Sequence, residues 1–216
     1  MKGLPTVLPV FRVRSTVLMP RAQLPIMVPE EDYHGVSSEM IENNIIAVIQ
    51  PRPTFISRND IGEVIGSFSI GCAGLVTDVS FAYGEVAVNI LGLCRFETIG
   101  EFPMDGSGIE RVTVSYEKFK VDTDDTGTEA QTLDKKKLMS ALALYFRTLE
   151  ISPNWQEIEK TPVDTLVSAL AMACPLHPSE KQSLLETVDL RDRSDMITKL
   201  IEMNSFDKYN TANTVN

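Results

Sequence analysis

An α+β fold is predicted by the grammar of the two halves of the chain. Up to about residue 121 the sequence runs in short β-branched stretches punctuated by proline and glycine, and from about residue 132 it runs in helical periods. Between them VDTDDTGTEAQ is acidic and almost without large apolar residues, the composition of a mobile linker. The expected organisation is a β-barrel or sheet subdomain with one short helix over 1–121, a linker over 122–131, an α-helical bundle over 132–204 and a disordered tail over 205–216.

The strands come first in the chain. LPVFRV, TVLMP, QLPIMV, NIIAVIQ and ERVTVSYEKF read as strands, and their near-continuous apolar runs predict a closed or well-covered sheet rather than one with a wet face. Pro9, Pro20 and Pro25 have no N–H to give a ladder and belong at strand ends, edges or bulges, with Pro20 and Pro25 bracketing a bend in one long strand. PEEDYHGVSSEMIENN breaks the pattern: Pro29 suits a first helical turn, and Glu30, Glu31 and Asp32 suit its positive dipole end.

IGCAGLVTDVSFAYGEVAVNILGLCRF reads as a hairpin. A three-residue turn, Ala82-Tyr83-Gly84, pairs Phe81 with Glu85 and carries the register to Cys72 opposite Cys94. Both thiols are expected to be buried and reduced, because buried cysteine behaves as a small hydrophobe.

In the second half, Thr132 is placed to cap a helix whose stripe is Leu138, Ala141, Leu142, Tyr145 and Leu149. Trp155 is expected to anchor packing between helices. Thr161, Pro162 and Asp164 supply cap, first-turn proline and acid for TLVSALAMAC, and Pro178 opens SEKQSLLET. The last helix buries Leu190, Ile197, Leu200 and Ile201.

Composition narrows function. A formal charge of −10 and a pI near 4.7 repel a phosphate backbone, so nucleic acid is not the expected partner. The N-terminus lacks the roughly 7–15-residue apolar core of a signal peptide, and no run reaches the roughly 18 apolar residues of a membrane span. Three cysteines without an export signal point to reduced thiols in the cytoplasm. Neither phosphate cradle, G-x-G-x-x-G nor G-x-x-x-x-G-K-[ST], occurs, and G-x-S-x-G is missing. His34 and His177 are unpaired in sequence, and Cys72, Cys94 and Cys174 are scattered singles without metal-ligand spacing. A surface or capping role is expected for His177. No catalytic residue, cofactor or metal is expected.

Three motifs in order carry a resemblance. Leu4-Pro5 or Leu8-Pro9, then Val17-Leu18-Met19-Pro20, then Leu24-Pro25 resemble the opening of the Lon protease N-terminal (substrate-binding) domain. Ile70-Gly71 with Gly92-Leu93-Cys94-Arg95-Phe96 resembles its next signature. The helical segment is similar through Asp164, Pro175, Glu180-Lys181-Gln182, Leu184-Leu185-Glu186, Asp189 and Arg193. Arg12-Val13 departs from the family's usual Pro-Leu. The resemblance, over about residues 4 to 203, implies a PUA-like β subdomain followed by helices. It also implies a non-catalytic module that binds unfolded or peptide-like protein segments, with protease or chaperone components as further partners. Full Lon proteases continue into an ATPase and a Ser-Lys peptidase module, so this chain is expected to be a stand-alone Lon-domain protein, neither of these.

Binding of apolar segments needs apolar side chains left on a surface. Phe55, Ile56, Ile61 and Ile65, in the connection PRPTFISRNDIGEVIGSF, are the candidate peptide-binding residues, the bland alternative being a lid folded over the barrel. A different class of function, a small-ligand receptor or enzyme using the β interior, has only Arg95, Asn89 and Cys94 to offer.

Overall fold

The computed structural model describes residues 3–29, 44–52, 67–102, 110–123, 133 and 135–213. The chain forms two compact units, Met1–Asp124 and Asp125–Asn216.

In the first unit the described strands are β1 (Val7–Arg12), β2 (Gln23–Pro29), β3 (Ile45–Ile49), β4 (Ile70–Ala82), β5 (Glu85–Phe102) and β6 (Arg111–Ser115). Five of them close a ring: β1 lies parallel to β3, and β3–β4, β4–β5, β5–β6 and β6–β1 are antiparallel. β2 stands outside the ring, along the first half of β5, from Gln23 opposite Leu91 to Pro29 opposite Glu85. Closure explains the apolar runs. Ile46, Ala47, Val48 and Ile49 on β3 are all buried, which alternation with one wet face would not allow.

TVLMP is not a strand. Val17, Leu18 and Met19 are buried in extended chain outside any ladder, followed by a turn in which the Ala22 N–H donates to the Met19 carbonyl at 3.2 Å and Arg21 takes φ +62°. Two glycines make room for them. Gly74 and Gly92 face each other across β4 and β5. A β-carbon on Gly92 would fall 2.0 Å from the Met19 carbonyl oxygen, and one on Gly74 would fall 2.7 Å from a Leu18 methyl. Gly92 also donates to Ala22 and accepts from Arg21, at 2.9 and 2.8 Å. The prolines are likewise corrected: Pro29 ends β2 instead of starting a helix. The helix expected over PEEDYHGVSSEMIENN falls in residues 30–43, outside those described.

The hairpin turn holds two residues, not three. Ala82 pairs with Glu85, and Tyr83 and Gly84 both take positive φ, +54° and +80°, the type I′ geometry that matches strand twist. Extra residues at Thr77 in β4 and Leu93 in β5 shift the register twice. The expected register holds only from Gly74–Gly92 to Val76–Ile90. Beyond it Cys72 faces Arg95 and Cys94 faces Ala73, so the thiols are not a cross-strand pair. Both are buried and free, as expected.

ERVTVSYEKF is a strand only to Ser115; Glu117–Thr123 is a 3-10 helix whose Phe119 is fully buried. This helix carries Asp122 back onto the sheet, so the acidic stretch expected to be a linker begins inside the fold.

The second unit holds, among the described residues, α1 (Lys136–Thr148), α2 (Trp155–Lys160), α3 (Val163–Ala173), α4 (Pro178–Glu186) and α5 (Leu190–Asn213). α1 buries Leu138, Ala141, Leu142 and Tyr145 of the expected stripe, while Leu149 is its half-buried C-cap; Thr132 lies outside the described residues. Trp155 opens α2 and sets its ring edge-on to Phe146 at 5.9 Å. Thr161 closes α2, its hydroxyl donating to the Glu157 carbonyl at 2.8 Å, so Pro162 takes the N-cap position of α3. His177 caps α4: its Nδ1 accepts from the Ser179 N–H at 3.3 Å, while its own N–H donates to Glu180 at 2.7 Å. The tail expected to be disordered from 205 is helical to Asn213, and Ser205 is buried with its hydroxyl on the Ile201 carbonyl.

Cations from elsewhere in the unit close three helix C-termini. The Lys135 ammonium donates to the carbonyls of Ile158, Glu159 and Thr161 at the end of α2. Lys181 reaches the Met172 carbonyl of α3 at 2.7 Å, and Arg193 the Thr187 and Val188 carbonyls beyond α4 at 3.2 and 3.0 Å. Carbonyls left over at a helix end carry the negative pole of its dipole, and a cation satisfies both needs.

Candidate functional site

Phe55, Ile56, Ile61 and Ile65 lie outside the described residues. The polar trio Arg95, Asn89 and Cys94 does not converge on a pocket. Arg95 is completely buried and fully engaged: Nη2 and Nε donate to the Asp122 carboxylate at 2.7 and 2.9 Å, its backbone N–H donates to the same group at 2.9 Å, and its guanidinium lies 4.5 Å from the Phe119 ring centre. Cys94 points its thiol at the Phe119 carbonyl, 3.6 Å away. Burial, reinforced by the Asp122 carboxylate, pushes that thiol up to about 12, and raises Cys72 too. A nucleophilic or metal-binding thiol needs the opposite shift. Asn89 faces Pro25 on one side and Asp78 on the other, away from Arg95. The family signature Arg95-Phe96 is therefore structural: it ties β5 to the 3-10 helix, and Phe96 meets Tyr116 edge-on at 6.5 Å. Among the described residues no cluster of histidine, cysteine and carboxylate could hold a metal ion.

A cleft of about 130 Å³ opens between Arg12, Ile49, Ser67, Phe68, Thr98, Glu110 and Val112. Small-molecule sites usually enclose roughly 300–1,000 Å³. Among the described residues that line it, the one cation is already neutralised, since Arg12 donates to both oxygens of Glu110 at 2.6 and 2.5 Å. The cleft has neither the room nor the free charge of a cofactor or metabolite site.

What the barrel unit does expose is apolar side chains on an arm. Past Val76 the strands β4 and β5 run on with β2 alongside, forming a three-stranded ribbon that ends in the Tyr83-Gly84 turn. Opposed residues share a face. Asp78, Asn89 and Pro25 form one cross-strand row, and Ser80, Ala87 and Met27 the next on the same face; Val79, Val88 and Ile26, then Phe81, Val86 and Val28, line the other. Val86 and Val88 are buried, but Met27 is 57%, Phe81 61% and Tyr83 wholly exposed. Tyr83 is the most telling, because a tyrosine at positive φ is strained relative to asparagine or glycine and here gains no burial in return. The sequence already places Tyr83 in the turn; what it does not show is the positive φ and the full exposure of that residue.

Comparison with known proteins bears on this arrangement. Residues 7–203 match the profile of the ATP-dependent protease La (LON) substrate-binding domain. Curated relatives include a Lon protease of Dictyoglomus thermophilum, 23% identical over 91% of this chain, and one of Anaeromyxobacter dehalogenans, 24% identical over 93%. The chain spans only 24% and 23% of their lengths. Among solved structures it is similar to the N-terminal domain of a Mycobacterium avium complex Lon protease, with a TM-score of 0.63 at 20% identity over 90% of this chain and 97% of that one. A Lon N-terminal domain protein from Xanthomonas campestris gives 0.57 at 19% identity, over 89% and 97%. At these identities the structural likeness establishes the fold.

Proposed function

The chain belongs to the LON substrate-binding domain family, and from that premise we propose that it is a non-catalytic recognition module for polypeptide, taking exposed apolar or unfolded segments. One observation supports this reading over a small-ligand receptor: the β2–β4–β5 ribbon displays Met27, Phe81 and Tyr83 to solvent, while the cleft beside Arg12 is too small and, among the described residues, too neutral for a metabolite. Apolar groups held out of the core cost solvation that a bound apolar segment recovers. The Arg95–Asp122 pair and the raised thiols are fold-building groups and take no chemical role. The module acts in the cytoplasm, where its three thiols stay reduced, and hands segments to protease or chaperone components.

The test is fluorescence anisotropy with a labelled protein held unfolded by reduction and carboxymethylation, beside its native, disulfide-bonded form. Saturable binding of the unfolded form alone is the expected result. Equal binding of both, or of neither, would refute the reading, and a thermal shift with small metabolites but no polypeptide binding would favour its rival.

A further inference from the structure

α2 is the element of the second unit least able to stand alone. It has six residues, WQEIEK, and buries none of them. Helices shorter than roughly 12–15 residues are marginal in water, because the first turn fixes several dihedrals for a single hydrogen bond. Neither flank continues it. Glu150 takes φ +56° and Pro153 stands just before the N-cap Asn154; Thr161, just after, is extended and leads into Pro162. α2 therefore lies between two non-helical joints.

Among the described residues its polar and ring contacts are of two kinds. The first kind stays inside the segment: Asn154 Oδ1 accepts from the Glu157 N–H at 3.4 Å, and the Thr161 hydroxyl donates to the Glu157 carbonyl at 2.8 Å. The second kind reaches out. At the N-terminal end Trp155 meets the Phe146 ring; at the C-terminal end the Lys135 ammonium donates to the Ile158 and Thr161 carbonyls at 3.4 and 3.1 Å, and to that of Glu159 as well. Lys135 is the N-cap residue of α1, so this one side chain fastens the end of α2 to the start of α1. Its charge matters, since carbonyls at a helix end gather the negative pole of the dipole, and a hydrogen bond from a cation is about twice as strong as a neutral one.

We infer that α2 is a strap latched by the Lys135 ammonium, and that Lys135 is a modification site through which the strap opens. Acyl transfer from a thioester removes the charge: the amide bond forms at Nζ as the carbon–sulfur bond breaks, one ammonium proton leaving with the thiol and a second passing to water. The neutral amide keeps one N–H in place of three, and α2 swings away on its joints, baring the half-buried rings of Phe146 and Trp155. The inference is independent of polypeptide recognition, because it concerns the second unit alone.

The experiment uses the full chain with acetyl-lysine placed at position 135, beside Lys135→Gln, Lys135→Arg and a form with acetyl-lysine at the exposed Lys137, which loses the same charge two residues away. Trp155 is the one tryptophan of the chain, so its fluorescence reports on α2 alone. In the acetyl-lysine 135 and Lys135→Gln forms its emission moves to the red and acrylamide quenches it more strongly. The amides of Ile158 and Thr161, bonded in the native helix to Asn154 and Glu157, exchange with deuterium at least roughly tenfold faster, while that of Cys174 at the end of α3 holds its rate. Lys135→Arg and acetyl-lysine 137 behave like the parent. Exchange at Ile158 and Thr161 unmoved by acetylation at 135, or moved equally by acetylation at 137, overturns the inference. So does faster exchange of α3 and α5 in step with α2, because Lys135 then supports the whole unit and latches nothing.

Discussion

Arg95 shows what a single buried charge requires. Its guanidinium has no exposure, and the Asp122 carboxylate beside it retains only 6%, so each depends on the other for what water would have supplied. Removing one member of such a pair strands the other. Asp122→Asn is expected to destabilise the first unit by about 3–5 kcal/mol, read from urea denaturation, whereas an exposed acid such as Asp78 changed to Asn stays near neutral. The buried thiols make a second prediction. Burial raises Cys94 from 9.0 to about 12 and Cys174 from 9.0 to about 11. In the folded chain they stay protonated while the unfolded chain loses their protons, so above pH 9 the unfolded state binds fewer protons and stability falls as pH rises. Stability should therefore hold below about pH 9 and decline toward pH 11–12, and Cys→Ala variants should flatten the decline in urea midpoints. This ion pair was illegible in the sequence. Arg95 stands out in the sequence through a family signature and as a polar residue of the β interior, but Asp122 is submerged in an acidic stretch whose average composition says linker; nothing local marks it as the acid that turns back to the sheet.

At the scale of elements, β5 organises the barrel. It pairs with β4, β2 and β6 in turn, and Gly92 is where residues 17–22 press against it. Gly92→Ala would drive a methyl into the Met19 backbone carbonyl and should cost roughly 3 kcal/mol or more, with Gly100→Ala, whose nearest neighbour would be 3.7 Å away, as the mild control in thermal unfolding. The turn at Tyr83 predicts the reverse trade. Tyr83→Asn relieves strain in a type I′ position and should raise stability by a few tenths to about 1 kcal/mol, while anisotropy with the unfolded protein shows weaker binding. The sequence made the strands legible through their β-branched runs, and α1 through its stripe. It misplaced the register because a two-residue turn and single extra residues at Thr77 and Leu93 leave no mark in composition, while TVLMP mimics a strand in composition and is packed as core. α5 was cut short for a similar reason: its buried side includes Arg193, Ser194, Thr198 and Ser205, polar residues satisfied within the helix unit, which an apolar stripe does not register.

For the whole molecule, the fold class was legible because closure of a sheet and amphipathic helices both leave periodic traces. The candidate site was not, since it consists of what the fold leaves over: a strained tip and exposed apolar side chains that any count would assign to the core. The formal charge of −10 does set a direction for binding. Association with unfolded chains rich in lysine should be tighter than with acidic ones and should weaken as salt rises past the point where screening acts over about 8 Å, as anisotropy titrations at increasing sodium chloride would show; salt-independent binding with no preference for basic chains would contradict it.

The ring has one further consequence, for how the protein is made. β1 is joined to β6 through Val7 opposite Thr113, so this strand cannot find its antiparallel partner until about a hundred further residues have been made. At roughly 5–20 residues per second β1 spends several seconds as an open, apolar strand. During that interval it presents the same kind of surface that the finished molecule is proposed to recognise.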